Sequence, residues 1–465
     1  MSHHQPDPNK SVNLIIDGKS VTVPEGTRIL EAAKKVNVNI PTLCEHPELC
    51  KRALCRICVV EADGRGKLIA ACANDVWEGV SIVTTNQRLL NIRKTIIELI
   101  LANHPQDCLS CIRNKKCELQ SLALSFGVGA NAGLGGSLFE NDAQERQPQI
   151  ESETLVRNMD KCVKCGRCVE VCQEVQTIRA INTSHRSHEY EISTPYKQAL
   201  KDGTCVFCGK CAEVCPVGAI YEHDQTAEVR EAITAGRKVI AQISPNFAAA
   251  VNDELAFAAE TVTTGKLVTA IKLLGFDKVF DAGIAANAVS AEIAVEVKQR
   301  GNGSRAKLPV ISGCSEGVAN FVKNFYPDLA DHLTAVPLPR RYFASSIKSG
   351  YAKETGVELS NITSVSFLPC LAHKYGAGSS QDFAITAGEL ARMLKLAGIV
   401  IETLPEEPFD SVNSDLPKQG NSVTKETVHG YAQARKVMEA IREGKCEAEW
   451  VEILSCPGDS CGSSL

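Results

Sequence analysis

Two stretches, CVKCGRCVEVC (162–172) and CVFCGKCAEVCP (205–216), carry one rhythm twice. Cys162, Cys165 and Cys168 are spaced by two residues and Cys172 follows three residues later; Cys205, Cys208, Cys211 and Cys215 repeat the pattern before Pro216. In the bacterial two-cluster run with this spacing, the fourth cysteine of each set ligates the other cluster. One 4Fe-4S cluster is therefore expected on Cys162, Cys165, Cys168 and Cys215, and a second on Cys205, Cys208, Cys211 and Cys172. Gln173 stands where a proline is expected after Cys172. Cysteines paired two apart also suit structural zinc, but eight of them in a doubled rhythm favour clusters.

Composition limits what surrounds this run. A chain of 465 residues holds three or four domains at ~100–200 residues each. Its net charge of −5 is close to balance, and no basic block points to nucleic acid. No apolar run reaches the ~18 residues of a membrane span, and the opening MSHHQPDPNK lacks the apolar core of a signal peptide. A cytoplasmic protein is expected, in which 21 cysteines stay reduced and serve as metal ligands rather than disulfides. Such a load points to several iron-sulfur clusters and to an anaerobe.

Upstream, residues 12 to 23 alternate as a hairpin around Asp17-Gly18, and a helix follows from Thr27 to about Val36. Cys44, Cys55, Cys58 and Cys72 come next, separated by ten, two and thirteen residues, with Cys44 in a PTLC context. This resembles the 2Fe-2S ferredoxin module at the front of FeFe hydrogenases and of the large peripheral subunit of respiratory complex I. The resemblance implies a 2Fe-2S cluster on those four cysteines, with Cys50 a bystander, although Cys50, Cys55 and Cys58 also have plant-type spacing.

The stretch NQRLLNIRKTIIELILANH places Leu89, Ile92, Ile96, Ile97 and Ile100 at helical spacing. It delivers His104, followed by Cys108, Cys111 and Cys117. The spacing and the continuation CELQSLALSFGV resemble the 4Fe-4S motif of one histidine and three cysteines in the same two families. A single imidazole among thiolates makes such a cluster less anionic and raises its potential. Residues rich in Gly, Ala, Asn and Gln then read as a linker. Within it GVGANAGLGG follows no strand and opens no βαβ unit, so it is no dinucleotide loop.

From Arg237 strands and helices alternate: RKVIAQISP as a buried strand, KLVTAIKLLGF as a helix and KVFDAG as a strand, the order of an α/β domain with parallel sheets. VIAQISPNFAAAVNDELAF, TTGKLVTAIKLLGFDKVFDAGIAAN and NFVKNFYPDLADHLT resemble the catalytic domain of FeFe hydrogenases. In that family a diiron centre hangs on a 4Fe-4S cubane through one bridging cysteine. Where the family has TSCCPGW this chain has ISGCSEG, so Cys314 is retained and the proton-shuttling cysteine has become Gly313. Where the family has MPCTAKKFE it has LPCLAHKYG, with Cys370 retained and His373 in place of the lysine at the diiron ligands. ACPGGC has become SCPGDSCGSSL, with Cys456 and Cys461 one residue further apart. Between these last two loops SVNSDLPKQGNSVTKET runs directly into the final helix VHGYAQARKVMEAIREGK, without the segment that walls the diiron pocket. The resemblance implies a cubane on Cys314, Cys370, Cys456 and Cys461 and no diiron subcluster; Cys446 matches no motif.

The expected architecture is multidomain, α+β and α/β. It comprises a disordered N-terminus (1–10), a β-grasp 2Fe-2S ferredoxin-like domain (11–86), a histidine-ligated 4Fe-4S module (87–126), a linker (127–154), a bacterial-type two-cluster 4Fe-4S ferredoxin domain (155–235) and a hydrogenase-like domain (236–465). No nucleotide or flavin motif is present, so catalytic residues are not expected. The resemblance implies an electron-transfer subunit of a soluble electron-bifurcating oxidoreductase, of the NADH-dependent ferredoxin:NADP transhydrogenase type. Its partners would be an NADH-oxidising FMN flavoprotein, a small 2Fe-2S subunit, ferredoxin and a second NADP-binding flavoprotein, with neither nucleic acid nor membrane. The alternatives are an active FeFe hydrogenase with an atypical site and a sensor or cluster scaffold built on the same domain.

Overall fold

The computed structural model describes residue 7 and residues 9–49, 52–63, 67–105, 107–129, 148–303, 308–376, 382–411 and 423–456. Period-two alternation puts Val12, Leu14 and Ile16 on the buried face of β1 (Ser11–Ile16). Its turn to β2 (Lys19–Pro24) uses positive φ at Asp17 and Gly18. Helix α1 (Ile29–Lys35) and strands β3 (Val59–Ala62), β4 (Lys67–Ala70) and β5 (Ser81–Val83) complete a five-stranded sheet of order β2-β1-β5-β3-β4, in which β1 and β5 are parallel. Most of the expected disordered N-terminus lies outside the described residues, but Asp7 N and Lys10 Nζ both donate to the Glu25 carboxylate.

Helix α2 (Gln87–Ala102) begins where the Asn86 side chain accepts from Leu89 N at 2.8 Å. Of its apolar stripe Leu89 and Ile97 are buried, and Arg93 is buried with them, donating to Val59 O and Thr84 O at 2.7 and 2.9 Å. Helix α3 (Glu118–Ser125) follows. Most of the expected linker, residues 130–147, lies outside the described residues.

The central unit contains β6 (Gln149–Ile150), β7 (Leu155–Arg157), α4 (Arg167–Glu170), β8 (Asn182–Ser184), β9 (Glu191–Ser193), α5 (Lys210–Glu213) and β10 (Ile220–Glu222). Strands β10-β7-β6 form one antiparallel sheet and β8-β9 a second. The two short helices start alike, each from a glycine in the left-handed region, Gly166 (φ 80°) and Gly209 (φ 77°).

Helix α6 (Thr226–Thr234) leads into alternating elements: β11 (Lys238–Ile243), α7 (Phe247–Leu255), α8 (Thr264–Leu273), β12 (Lys278–Asp281), α9 (Gly283–Gly303), β13 (Val310–Gly313), α10 (Glu316–Phe325), α11 (Pro339–Thr355), β14 (Ile362–Leu368), β15 (Asp382–Thr386), α12 (Ala387–Ala397), β16 (Lys425–His429), α13 (Tyr431–Arg442) and β17 (Trp450–Leu454). They build two all-parallel sheets, β12-β11-β14-β15 and β13-β17-β16. Every residue of β14 and of β17 is buried, as parallel strands covered on both faces require. Cys314 and Cys456 lie just past the C-terminal ends of β13 and β17, and Cys370 two residues beyond β14. Cysteines far apart in sequence therefore lie at sheet ends.

Candidate iron-sulfur sites

In the N-terminal unit the thiols of Cys44 and Cys55 are hydrogen-bonded, as are those of Cys58 and Cys72, and the Cys44 charge is felt at both Cys58 and Cys72. The bond from Cys55 holds Cys44 down to about 6, and the bond from Cys72 holds Cys58 down to about 7; each partner thiol is pushed well above the ordinary value. The four thiols therefore form two hydrogen-bonded pairs, and in each pair one member, Cys44 or Cys58, is shifted toward thiolate, the form a metal cluster takes. Cys50 lies outside the described residues.

The imidazole of His104 is largely buried, and desolvation, with the Lys161 charge beside it, pushes its pKa below the ordinary value. Its Nδ1 is buried without a hydrogen-bond partner. A neutral ring with an orphaned nitrogen fits a metal ligand. Cys117 lies near Cys111 and Cys108, and Lys161 links the group, hydrogen-bonding Cys111 while its Nζ donates to Asp107 Oδ2 at 2.7 Å. A Cβ added to Gly218 would come within 3.0 Å of Cys111 Sγ, so this site touches the ferredoxin unit through a residue with no side chain.

Among the central cysteines, Cys162, Cys165, Cys168 and Cys215 influence one another, while Cys205, Cys208 and Cys211 group with Cys172. Burial pushes up seven of these thiols, Cys162 to about 11, Cys165 and Cys208 to about 12, and Cys168, Cys172, Cys205 and Cys211 likewise above the ordinary value. The loops that hold them repeat one backbone shape: Lys164 and Phe207 have positive φ, and their N–H groups donate to Cys162 Sγ and Cys205 Sγ, both at 3.4 Å. Such N–H···S contacts offset the negative charge of thiolates.

At the C-terminal sheet ends Cys314 and Cys456 are buried. Ser455 N donates to Cys314 Sγ at 3.3 Å, and the Ser455 hydroxyl lies 3.4 Å from the same sulfur. Tyr431 is fully buried, its hydroxyl 3.0 Å from Ser455 Oγ, within electrostatic reach of Cys208 on one side and of Cys314 and Cys456 on the other. Cys461 lies outside the described residues, as do residues 412–422, where the connection was expected to be shortened. Cys446 packs against the core beneath α13. Among the described residues no three His, Cys, Asp or Glu side chains converge on one metal-ion position.

A cleft of about 1430 Å³ opens beside this site, with Gly313, Ser315, Arg340, Arg341 and Ser366 on its walls. At its edge Gly313 has no room for a side chain, because a Cβ there would lie 2.4 Å from Val318 Cβ. His373 is buried and its Nε2 has no hydrogen-bond partner, whereas Lys374 points elsewhere. The Lys374 ammonium is fully buried, paired with Glu389 at 2.5 Å and donating to His223 O at 2.6 Å. Sequence reasoning missed the buried cations Arg93 and Arg167 and the position of Tyr431, all of which depend on distant contacts.

Architecture and grouped thiols define a multidomain iron-sulfur protein with an α/β C-terminal domain. Family models match its parts in order: a 2Fe-2S iron-sulfur cluster binding domain (residues 9–87), the NADH-ubiquinone oxidoreductase-G iron-sulfur binding region (93–131), the ferredoxin-like domain of NADH-quinone oxidoreductase subunit 3 (152–221) and the C-terminal domain of the iron only hydrogenase large subunit (237–426). The chain is 36% identical over 422 residues to the NADP-reducing hydrogenase subunit HndD of Solidesulfovibrio fructosivorans, a match covering 86% of this chain and 71% of that protein. It is 30% identical over 420 residues to iron hydrogenase 1 of Clostridium pasteurianum, covering 88% and 72%. The alpha subunit of the NADPH-Fe(3+) oxidoreductase of Geobacter sulfurreducens matches 154 residues at 36% identity, 33% of this chain and 18% of that one. The chain belongs to the iron-only hydrogenase large-subunit family, with complex I-type 2Fe-2S and 4Fe-4S domains at its front. Among the described residues no helix is long and apolar enough to cross a membrane.

Proposed function

We propose that this chain is the iron-sulfur electron-transfer subunit of a soluble, cytoplasmic, electron-bifurcating complex of the NADH-dependent ferredoxin:NADP transhydrogenase type. It relays single electrons between a flavoprotein partner and ferredoxin. The ligand sets are one 2Fe-2S cluster on Cys44, Cys55, Cys58 and Cys72, and 4Fe-4S clusters on His104 with Cys108, Cys111 and Cys117, and on the two swapped ferredoxin quartets. A last cubane, without a diiron subcluster, sits on Cys314, Cys370, Cys456 and Cys461. Iron-sulfur clusters pass electrons singly while flavins divide hydride pairs, so an NADH-oxidising FMN subunit with a small 2Fe-2S subunit is the complementary partner. A second, NADP-binding flavoprotein completes the set, and relatives named for NADP and NADPH chemistry support a pyridine nucleotide at one end.

The observation that carries this reading is Gly313 beneath Val318. Cys314, Cys370 and Cys456 are retained for a cubane, yet the shuttle position has neither a titratable group nor space for one. A second reading, an active or sensory hydrogenase with an atypical site, draws on the hydrogenase relatives. Infrared spectroscopy of the anaerobically purified protein, with iron quantification, separates the two. The proposal expects no carbonyl or cyanide stretches and iron matching one 2Fe-2S and four 4Fe-4S clusters; those stretches in the spectrum would establish a diiron centre and overturn it.

A further inference from the structure

Arg167 sits inside the motif CGRC, yet its guanidinium belongs to three modules at once. It is 5% exposed. Nη1 and Nη2 grip both carboxylate oxygens of Glu118, at 2.6 and 2.8 Å, on the first residue of α3 in the histidine-containing module. Nη2 also donates to Glu45 O at 2.7 Å, next to Cys44, and Nη1 reaches Val214 O at 3.4 Å, next to Cys215. A planar fork with several fixed donors makes such a junction where an ammonium would not.

Its charge lies within electrostatic reach of the Cys165 and Cys44 thiols, which belong to different sites. Its Nε is buried with no hydrogen-bond partner. Around it the 2Fe-2S loop is stitched to α4. Arg52 pairs with Glu170, and a Cβ on Gly166 would come within 3.0 Å of Leu54 Cδ1. One core cluster completes the junction, holding Cys117 with Cys55, Cys162 and Cys215 at its margin.

We propose that Arg167 is a positioning residue that sets the relative potentials of the 2Fe-2S site and the first ferredoxin site while locking the three modules in register. A fixed positive charge favours the reduced, more anionic state of each neighbouring cluster, in a surrounding that screens it poorly. The quartet of Cys172, Cys205, Cys208 and Cys211 does not share this junction. Glu118, the counter-charge, works in the opposite direction.

This inference rests on the cluster assignments proposed above, so the wild-type protein is measured first; wild type without the assigned clusters would fail that reading before this one is tested. The experiment is an EPR-monitored redox titration of the full anaerobic chain as wild type, Arg167→Met, Arg167→Lys and Glu118→Gln. Arg167→Met is expected to move the potentials of the 2Fe-2S cluster and the first ferredoxin cluster down. Glu118→Gln moves both up, Arg167→Lys leaves them near wild type, and the Cys205 site stays unmoved in all. If Arg167→Met fails to load clusters, Glu118→Gln, whose side chain is half exposed, decides alone. Unchanged potentials, or an equal shift of every cluster, would overturn the proposal and leave Arg167 a structural tie.

Discussion

Val318 fills the space above Gly313: all three of its side-chain carbons would lie within 2.7 Å of a Cβ added there. A side chain at position 313 is thus excluded sterically, which supports the proposed loss of the shuttle cysteine. Gly313→Cys alone is expected to overpack this spot and cost about 1–3 kcal/mol in denaturant melts, a cost that an added Val318→Ala change relieves only in part, because the Val318 Cβ contact at 2.4 Å stays. Neither variant should evolve hydrogen, and hydrogen from either would contradict a converted site.

On the proposed ligand sets, serine at Cys162 or Cys208 would interrupt electron transfer at one site. In the assembled complex, either change should abolish ferredoxin-linked turnover while leaving NADH oxidation by an artificial dye at the flavoprotein. Loss of the dye reaction as well would place these sites upstream of the flavin.

On the proposed ligand set, His104→Cys replaces a neutral ligand with a thiolate and adds a negative charge to the cluster. A retained cluster with a lower midpoint potential is expected in a redox titration. An unchanged potential would mean that His104 is a buried structural histidine.

Gly317, near the start of α10, faces Val206 O with a gap that a Cβ would reduce to 2.1 Å. Gly317→Ala should push the helix off the second ferredoxin loop and destabilise the protein by about 1–3 kcal/mol. Gly129→Ala, with nothing within 4 Å of the new methyl, is the control and should melt like wild type.

The His223 ring is pushed below the ordinary imidazole value by desolvation, and Lys374 adds to the effect. Protonation is therefore easier in the unfolded chain. This contribution to stability is intact above about pH 6.5, the unfolded value, and fades as pH falls through the depressed folded value. His223→Gln should flatten that part of the acid limb in melts from pH 7.5 to 5; an unchanged slope would rule the residue out.

What the sequence made legible was local. Spacing of two and three residues dictates the turns that hold Cys162 to Cys172 and Cys205 to Cys215. Alternation in VNLIID and apolar runs such as RKVIAQI specify strands through their own periodicity. The stripe on α2 was legible except for Arg93, whose burial depends on carbonyls of Val59 and Thr84 from other elements. Arg167 escaped for the same reason, since its partners Glu45 and Glu118 lie 122 and 49 residues away. Replacement by Gly313 was visible in the sequence, but closure by Val318 depends on how α10 packs against the end of β13.

Lys374 shows how the C-terminal domain is joined to the ferredoxin. Its ammonium crosses to His223 O, Glu222 is tied to Arg392 and Thr386, and Arg435 holds Thr177. Phe207 stacks on Tyr375 with ring centroids 4.3 Å apart. Breaking a joint of buried charge and packed rings is costly, so this part of the chain cannot work as a swinging arm that carries charge from one docking place to another. On the relay proposed above, the distances electrons cross here would be set at folding and would not vary from one turnover to the next. Gating would then come from what binds at the two ends, by the arrival and departure of partners.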